Sequence, residues 1–271
     1  MAKEKKTEMM VAPDPSALAA LANEFPQEVG YVDKLLPRLT FKSQDVTEET
    51  KVNGKKVINI ITEAGTFIEE RETSELGEDG KKIWSHDELG AEIEGTIIFQ
   101  RKQLKFYDQG TGEFTSSPVY DNDEEVIPLF LNKKEIVRGT PAELRGRYQY
   151  TAEDGKTKSK LEDNVILYVL KDDEIFQLNL RGSSMYAFKT FARKTLAPSV
   201  LLKMNSEAKE NGSIKWNQMT FTPARALNNA EIATVMGHIQ DIKQGVADKK
   251  AFFASQAIMT PEEIEAKKND F

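Results

Sequence analysis

Cysteine is absent from the 271 residues, and histidine occurs only twice, at His86 and His238. The first absence removes disulfides, zinc ribbons, thiolate nucleophiles and iron–sulfur ligation together. It also fits a reducing, cytoplasmic setting. The second leaves almost no room for a multi-histidine metal site. No apolar run approaches the length of a membrane-spanning helix. The charged N-terminus, MAKEKKTEMM, has no apolar stretch behind it that would make a signal peptide. Gly110 and Gly112 are followed by no Lys-Ser/Thr pair and open no helix, so they form no phosphate loop. Neither histidine has a serine and an acid placed to complete a triad. Asp121-Asn122-Asp123-Glu124-Glu125 is rich in oxygen but lacks the glycine and distal glutamate of a calcium loop, and reads as a surface turn. No cofactor and no catalytic motif is called for.

Apolar residues are also sparse, at 39% against 30% charged. A core must therefore draw on part of the chain. The net charge of −7 is unevenly spread. Residues 44–94 hold fourteen acidic and six basic residues, a net of −8. Residues 181–225 hold eight basic and two acidic residues, a net of +6. A local field follows local charge, so the acidic total does not argue against a polyanionic partner.

Turn signals and period-two runs place strands through the middle of the chain. Asn53-Gly54 predicts a hairpin turn into Lys56–Thr62. Glu78–Gly80 predicts a second turn, and Thr96–Tyr107 is a long β-branched and aromatic strand. Residues 113–128 are polar and limited by prolines. Leu144–Thr151, Val165–Leu170 and Ile175–Leu180 are expected as strands, the last two joined by a hairpin at Lys171–Glu174. Ser183–Leu196 has helical spacing, with Ser183 or Ser184 as its cap. A second helical piece is expected to break at Asn211-Gly212, before the period-two run Ser213–Thr222. Asn228 and Glu231 form a capping-box pattern opening the longest helix, with its end or a kink at Gly245. Ser16–Asn23 and the stretch after Thr260-Pro261 carry further helix signals.

The expected fold is α+β and β-rich: an OB-like Greek-key barrel with an inserted helix and a C-terminal helical extension. A generic α+β sheet is the alternative. The expected organisation is a flexible arm over 1–27, a β-rich domain over 28–227, a helical extension over 228–258 and an acidic tail over 259–271.

Two segments mix cations with aromatics. Within 181–225 stand Arg181, Tyr186, Lys189, Phe191, Arg193, Lys194, Lys215, Trp216, Phe221 and Arg225. On the strand Phe99–Tyr107, period two sets Phe99, Arg101, Gln103, Lys105 and Tyr107 on one face. Single-stranded nucleic acid needs this mixture, with cations along the phosphates and rings stacked on bases. Arg101, Lys105, Arg181, Lys189, Arg193 and Lys215 are the expected phosphate contacts, and Tyr107 and Trp216 the expected stacking residues. The acidic C-terminus ending in Asp270 and Phe271 suits docking into a basic pocket of a partner.

Leu36-Pro37-Arg38-Leu39, the β-rich middle, Leu180-Arg181-Gly182-Ser183-Ser184 leading into an aromatic helix, the Trp-bearing run Ser213–Phe221 and the acidic tail with terminal Phe271 together define a layout. In that layout the chain resembles replication-type single-stranded DNA-binding proteins of phages and other mobile elements. The resemblance implies an OB-type barrel and sequence-tolerant binding of single strands inside a bacterial host. It also implies a tail that meets replication or recombination proteins, and it leaves room for a homo-oligomer. The chain departs from the bacterial family in its length and in Lys267 and Lys268, which interrupt the acidic tip. The resulting expectation is a non-catalytic single-stranded DNA-binding protein without a membrane partner. A phage or plasmid assembly protein, using the long helix and the acidic segment as interfaces, is the alternative. A metal-dependent nuclease is a third reading.

Overall fold

The computed structural model describes residues 14, 16–17, 36–52, 55–76, 82–108, 110–131, 134–153 and 155–256. In chain order the strands are β1 (Arg38–Phe41), β2 (Val46–Val52), β3 (Lys55–Thr62), β4 (Phe67–Leu76), β5 (Lys82–Gly90), β6 (Glu92–Asp108), β7 (Glu113–Ser116) and β8 (Ile127–Leu131). They continue with β9 (Lys134–Gly139), β10 (Gln149–Thr151), β11 (Thr157–Ser159), β12 (Glu162–Lys171), β13 (Glu174–Leu180), β14 (Val200–Asn211) and β15 (Ile214–Ala226). The helices are α1 (Pro141–Arg147), α2 (Gly182–Ala192) and α3 (Asn229–Gln256). The protein is thus α+β and rich in strands.

The chain divides into two compact units. The first combines Pro37–Phe99 with Leu167–Gly237. Here β5, β4, β1, β13, β12 and β6 lie side by side in that order, and β14 pairs with β6 and with β15. β1 runs parallel to β13 and antiparallel to β4. Gly95–Phe99 on β6 and Leu167–Val169 on β12 are buried without alternation, as strands covered on both faces are. Gly95 must be glycine: a Cβ there would stand 2.7 Å from Val169 Cγ1. β14 and β15 form one long hairpin around Gly212-Ser213, with Gly212 at φ +60°.

The second unit includes Gln100–Ile166. Its strands run β6, β7, β8, β9, with β10 and β11 as a separate pair. Leu104, Tyr120, Ile127, Leu129, Leu144 and Leu161 make its core. Arg145 pairs with Asp163 at 2.8 Å and donates to the Tyr120 hydroxyl. Burial raises that phenol well above its ordinary value.

Several expectations change. The strands pair as open paths, so the expected closed barrel is not formed among the described residues. The expected strand at Leu144–Thr151 begins as α1: Thr140 accepts from the Glu143 N–H at 3.3 Å and donates its own N–H to Glu143 at 2.8 Å. The segment before Asn211-Gly212 is β14, where Val200, Leu202 and Met204 alternate into the core. The polar stretch 113–128 contains β7 and the start of β8. The capping box of Asn228 and Glu231 is present at 3.0 and 2.8 Å. Its helix runs through Gly245 to Gln256. The hairpin at Lys171–Glu174 is also present, with Asp172 and Asp173 both at positive φ. The turns at Asn53-Gly54 and Glu78–Gly80 lie outside the described residues, as do most of Ser16–Asn23 and the tail signals at Thr260-Pro261.

Candidate nucleic-acid interface

α2 rests against β15 in the first unit. Met185, Phe188 and Phe191 bury one side of the helix. Phe188 and Phe191 reach Phe221 of β15, with ring centroids 5.4 and 6.2 Å apart. The opposite side carries Tyr186, 65% exposed, and Lys189, whose ammonium lies 5.9 Å from the Tyr186 ring. Arg193 and Lys194 follow at the C-terminal end and are exposed.

The helix start is built differently from expectation. Arg181 occupies the cap position and makes no side-chain capping bond. Ser183 and Ser184 instead accept from β15: the Trp216 indole N–H donates to Ser183 Oγ at 3.1 Å, and the Met219 N–H donates to Ser184 Oγ at 2.9 Å. The Asn217 N–H donates to the Ser43 carbonyl at 2.8 Å. These bonds occupy the edge of β15 that faces away from β14. They tie Trp216, expected as a free stacking ring, to the helix and leave it half-buried. On the other side of the contact, α2 and β15 border an open groove of about 590 Å³, lined by Tyr186, Phe191, Lys194, Gln218 and Phe221 among others.

The cations of 181–225 fall into two groups. Lys203 is held by Glu92 and Glu94 at 3.0 and 3.5 Å, and Lys209 by Glu207 at 2.6 Å. Arg225 forks onto Glu231. These bonds raise the Lys203 and Arg225 pKa values and lower that of Glu231. Among the described residues, Arg181, Lys189, Arg193, Lys194 and Lys215 make no ion pair with a carboxylate. The expected contacts Arg181, Lys189, Arg193 and Lys215 thus belong to α2, its ends and β15, with Arg181 lining a separate cleft beside Thr40, Ser43 and Ser184. Tyr186 and Lys194 join them. Tyr186 was legible: it sits three before Lys189 and one after Met185, which places it opposite the buried side.

The remaining expected contacts belong to the second unit. The exposed face expected for Phe99–Tyr107 is closed over at its inner end, where Phe99 is buried. Arg101 is 4% exposed. Its guanidinium grips Asp121 at 2.7 and 3.2 Å and donates to the Val119 carbonyl. Gln103 donates to the Ser117 carbonyl at 2.8 Å. Segment 117–121 runs alongside this strand, bridging Lys102 to Tyr120, and its acceptors hold Arg101, which is therefore removed from the phosphate contacts. Asp121 and Asp123, read as an ordinary turn, anchor Arg101 and Lys102. Only the outer end of the strand opens: Lys105 is half-buried, and Tyr107 is exposed opposite Phe114 on β7, itself exposed. Asp270 and Phe271 lie outside the described residues. Among the described residues, no group of three or more His, Asp or Glu could hold a metal, and no helix is long and apolar enough to cross a membrane.

Comparison with family models, curated proteins and solved structures finds no match.

Proposed function

We propose that this chain is a non-catalytic, sequence-tolerant single-stranded DNA-binding protein of replication or recombination, and that the α2–β15 surface is its main contact. One observation carries the reading. In a chain of net charge −7, Arg181, Lys189, Arg193, Lys194 and Lys215 make no ion pair with a carboxylate among the described residues, and Lys194 lines an open groove together with the exposed Tyr186. Lys203, Lys209 and Arg225 of the same stretch are by contrast each held by a carboxylate. Arg181, Lys189, Arg193, Lys194 and Lys215 neutralise phosphates, and Tyr186 stacks on a base. Lys105 and Tyr107 are proposed as a further, smaller contact on the second unit.

The test is fluorescence anisotropy with labelled oligo-dT at low and moderate salt, with a duplex control. Binding is expected to favour the single strand and to weaken steeply with salt, because each neutralised phosphate contributes about 0.7 to the log–log slope. An absence of binding at low salt would leave the cations as a solvated face and favour the assembly-protein reading.

A further inference from the structure

β2 and β3 form a two-stranded sheet of their own, and among the described residues neither pairs with another strand. Ile58, Ile60 and Ile61 of β3 are 60%, 57% and 59% exposed. Successive side chains point to opposite faces, so Ile60 and Ile61 leave apolar surface open on both sides. A two-stranded ribbon gains independent stability only from a further strand or a packing surface. The unpaired edge of β3 is a template for such a strand.

We propose that β3 pairs antiparallel with β3 of a second copy, about a two-fold axis at Asn59, joining two hairpins into a four-stranded sheet. The sequence of β3 is complementary to itself in this register. Ile58 falls opposite Ile60 at both crossings beside the axis. The exposed apolar positions beside the axis thus face one another. β2 lacks this property. Centred on Glu49 it sets that glutamate against itself, and centred one half-step earlier it sets Glu48 against Glu49. Charge thus selects β3 as the joining edge and protects β2 from the same reaction. The two-fold pairing consumes both β3 edges and stops at two chains. It is independent of nucleic-acid binding.

Light scattering coupled to size exclusion, on the full chain, tests the pairing. The wild type is expected at twice the 30.5 kDa chain mass. I58K combined with I60K sets lysine against lysine across the axis and is expected to give monomers. I58K combined with I60E sets lysine against glutamate at both crossings and is expected to restore the dimer. Both positions are exposed, and circular dichroism checks that the variants fold. A monomeric wild type overturns the proposal, as does a dimer that survives I58K/I60K. A monomeric I58K/I60E protein overturns the register.

Discussion

Arg101 and Arg193 carry the same guanidinium and perform opposite tasks. Arg101 is desolvated and grips the mostly buried Asp121, so Arg101→Ala removes the cation of a largely desolvated ion pair. Urea unfolding is expected to show a loss of about 3–5 kcal/mol. Arg193→Ala leaves stability nearly unchanged and lowers the salt slope of oligo-dT binding by about one phosphate contact. Tyr186→Ala is expected to weaken oligo-dT binding roughly 5- to 150-fold in anisotropy titrations, the span of about 1–3 kcal/mol for one stacked base. An unchanged affinity in folded Tyr186→Ala protein would remove that ring from the interface. The residue types of the interface were visible in sequence, but their availability was not. Availability depends on which carboxylates the fold brings near, as Glu92 reaches Lys203 across 111 positions.

At the scale of the element, the β12–β13 turn is the sharpest local constraint. Asp172 and Asp173 hold φ of 50° and 62°, the two left-handed positions of a type I′ loop. Glycine suits the second position, so Asp173→Gly is expected to stabilise the protein by on the order of 1 kcal/mol. A thermal melt should rise by roughly 2–4 °C. Asp172 is left in place because Lys171 pairs with it at 2.7 Å. Local signals of this kind read well in advance: this hairpin and the capping box at Asn228 were both legible. α1 was overlooked although Thr140-Pro141 with Glu143 has the same form as the start signal read at Thr260-Pro261. β14 was misread because Leu201, Lys203, Met204, Glu207, Ala208 and Lys209 are good helix formers. Pairing with β6 and β15 overrides that preference, and only the burial of Val200, Leu202 and Met204 reveals the period of two. Barrel closure is set by long-range pairing and could not be read from strand count.

At the scale of the whole molecule, stability should depend on acid through paired carboxylates. Glu231 is lowered from its ordinary 4.5 chiefly by its bond with Arg225, and Glu174 from 4.5 chiefly by its bond with Arg71. A carboxyl depressed in the folded state stabilises it at pH above 4.5, and that contribution disappears as pH falls through the folded value. Thermal melts are therefore expected to decline below about pH 4.5 from this source. Both pairs are partly exposed, so each contributes only about 0–1 kcal/mol. Glu231→Gln should flatten its share of the decline, and an unchanged pH profile in that variant would deny the pair this role.

β6 and β12 each pass from one unit into the other, so the first unit is completed by segments on both sides of the second. The order of synthesis then fixes an order of opportunity. The core of the second unit, from Leu104 to Leu161, emerges as one continuous stretch and is complete before β13 exists. Strands β1 and β4 wait on the ribosome, with Leu39, Phe67 and Ile68 still uncovered, until β13 is made. The nascent chain therefore exposes these core positions for the time taken to translate about a hundred residues, on the order of 5–20 s. During that interval the fourteen acidic residues of 44–94 repel neighbouring chains at the very segment that is waiting.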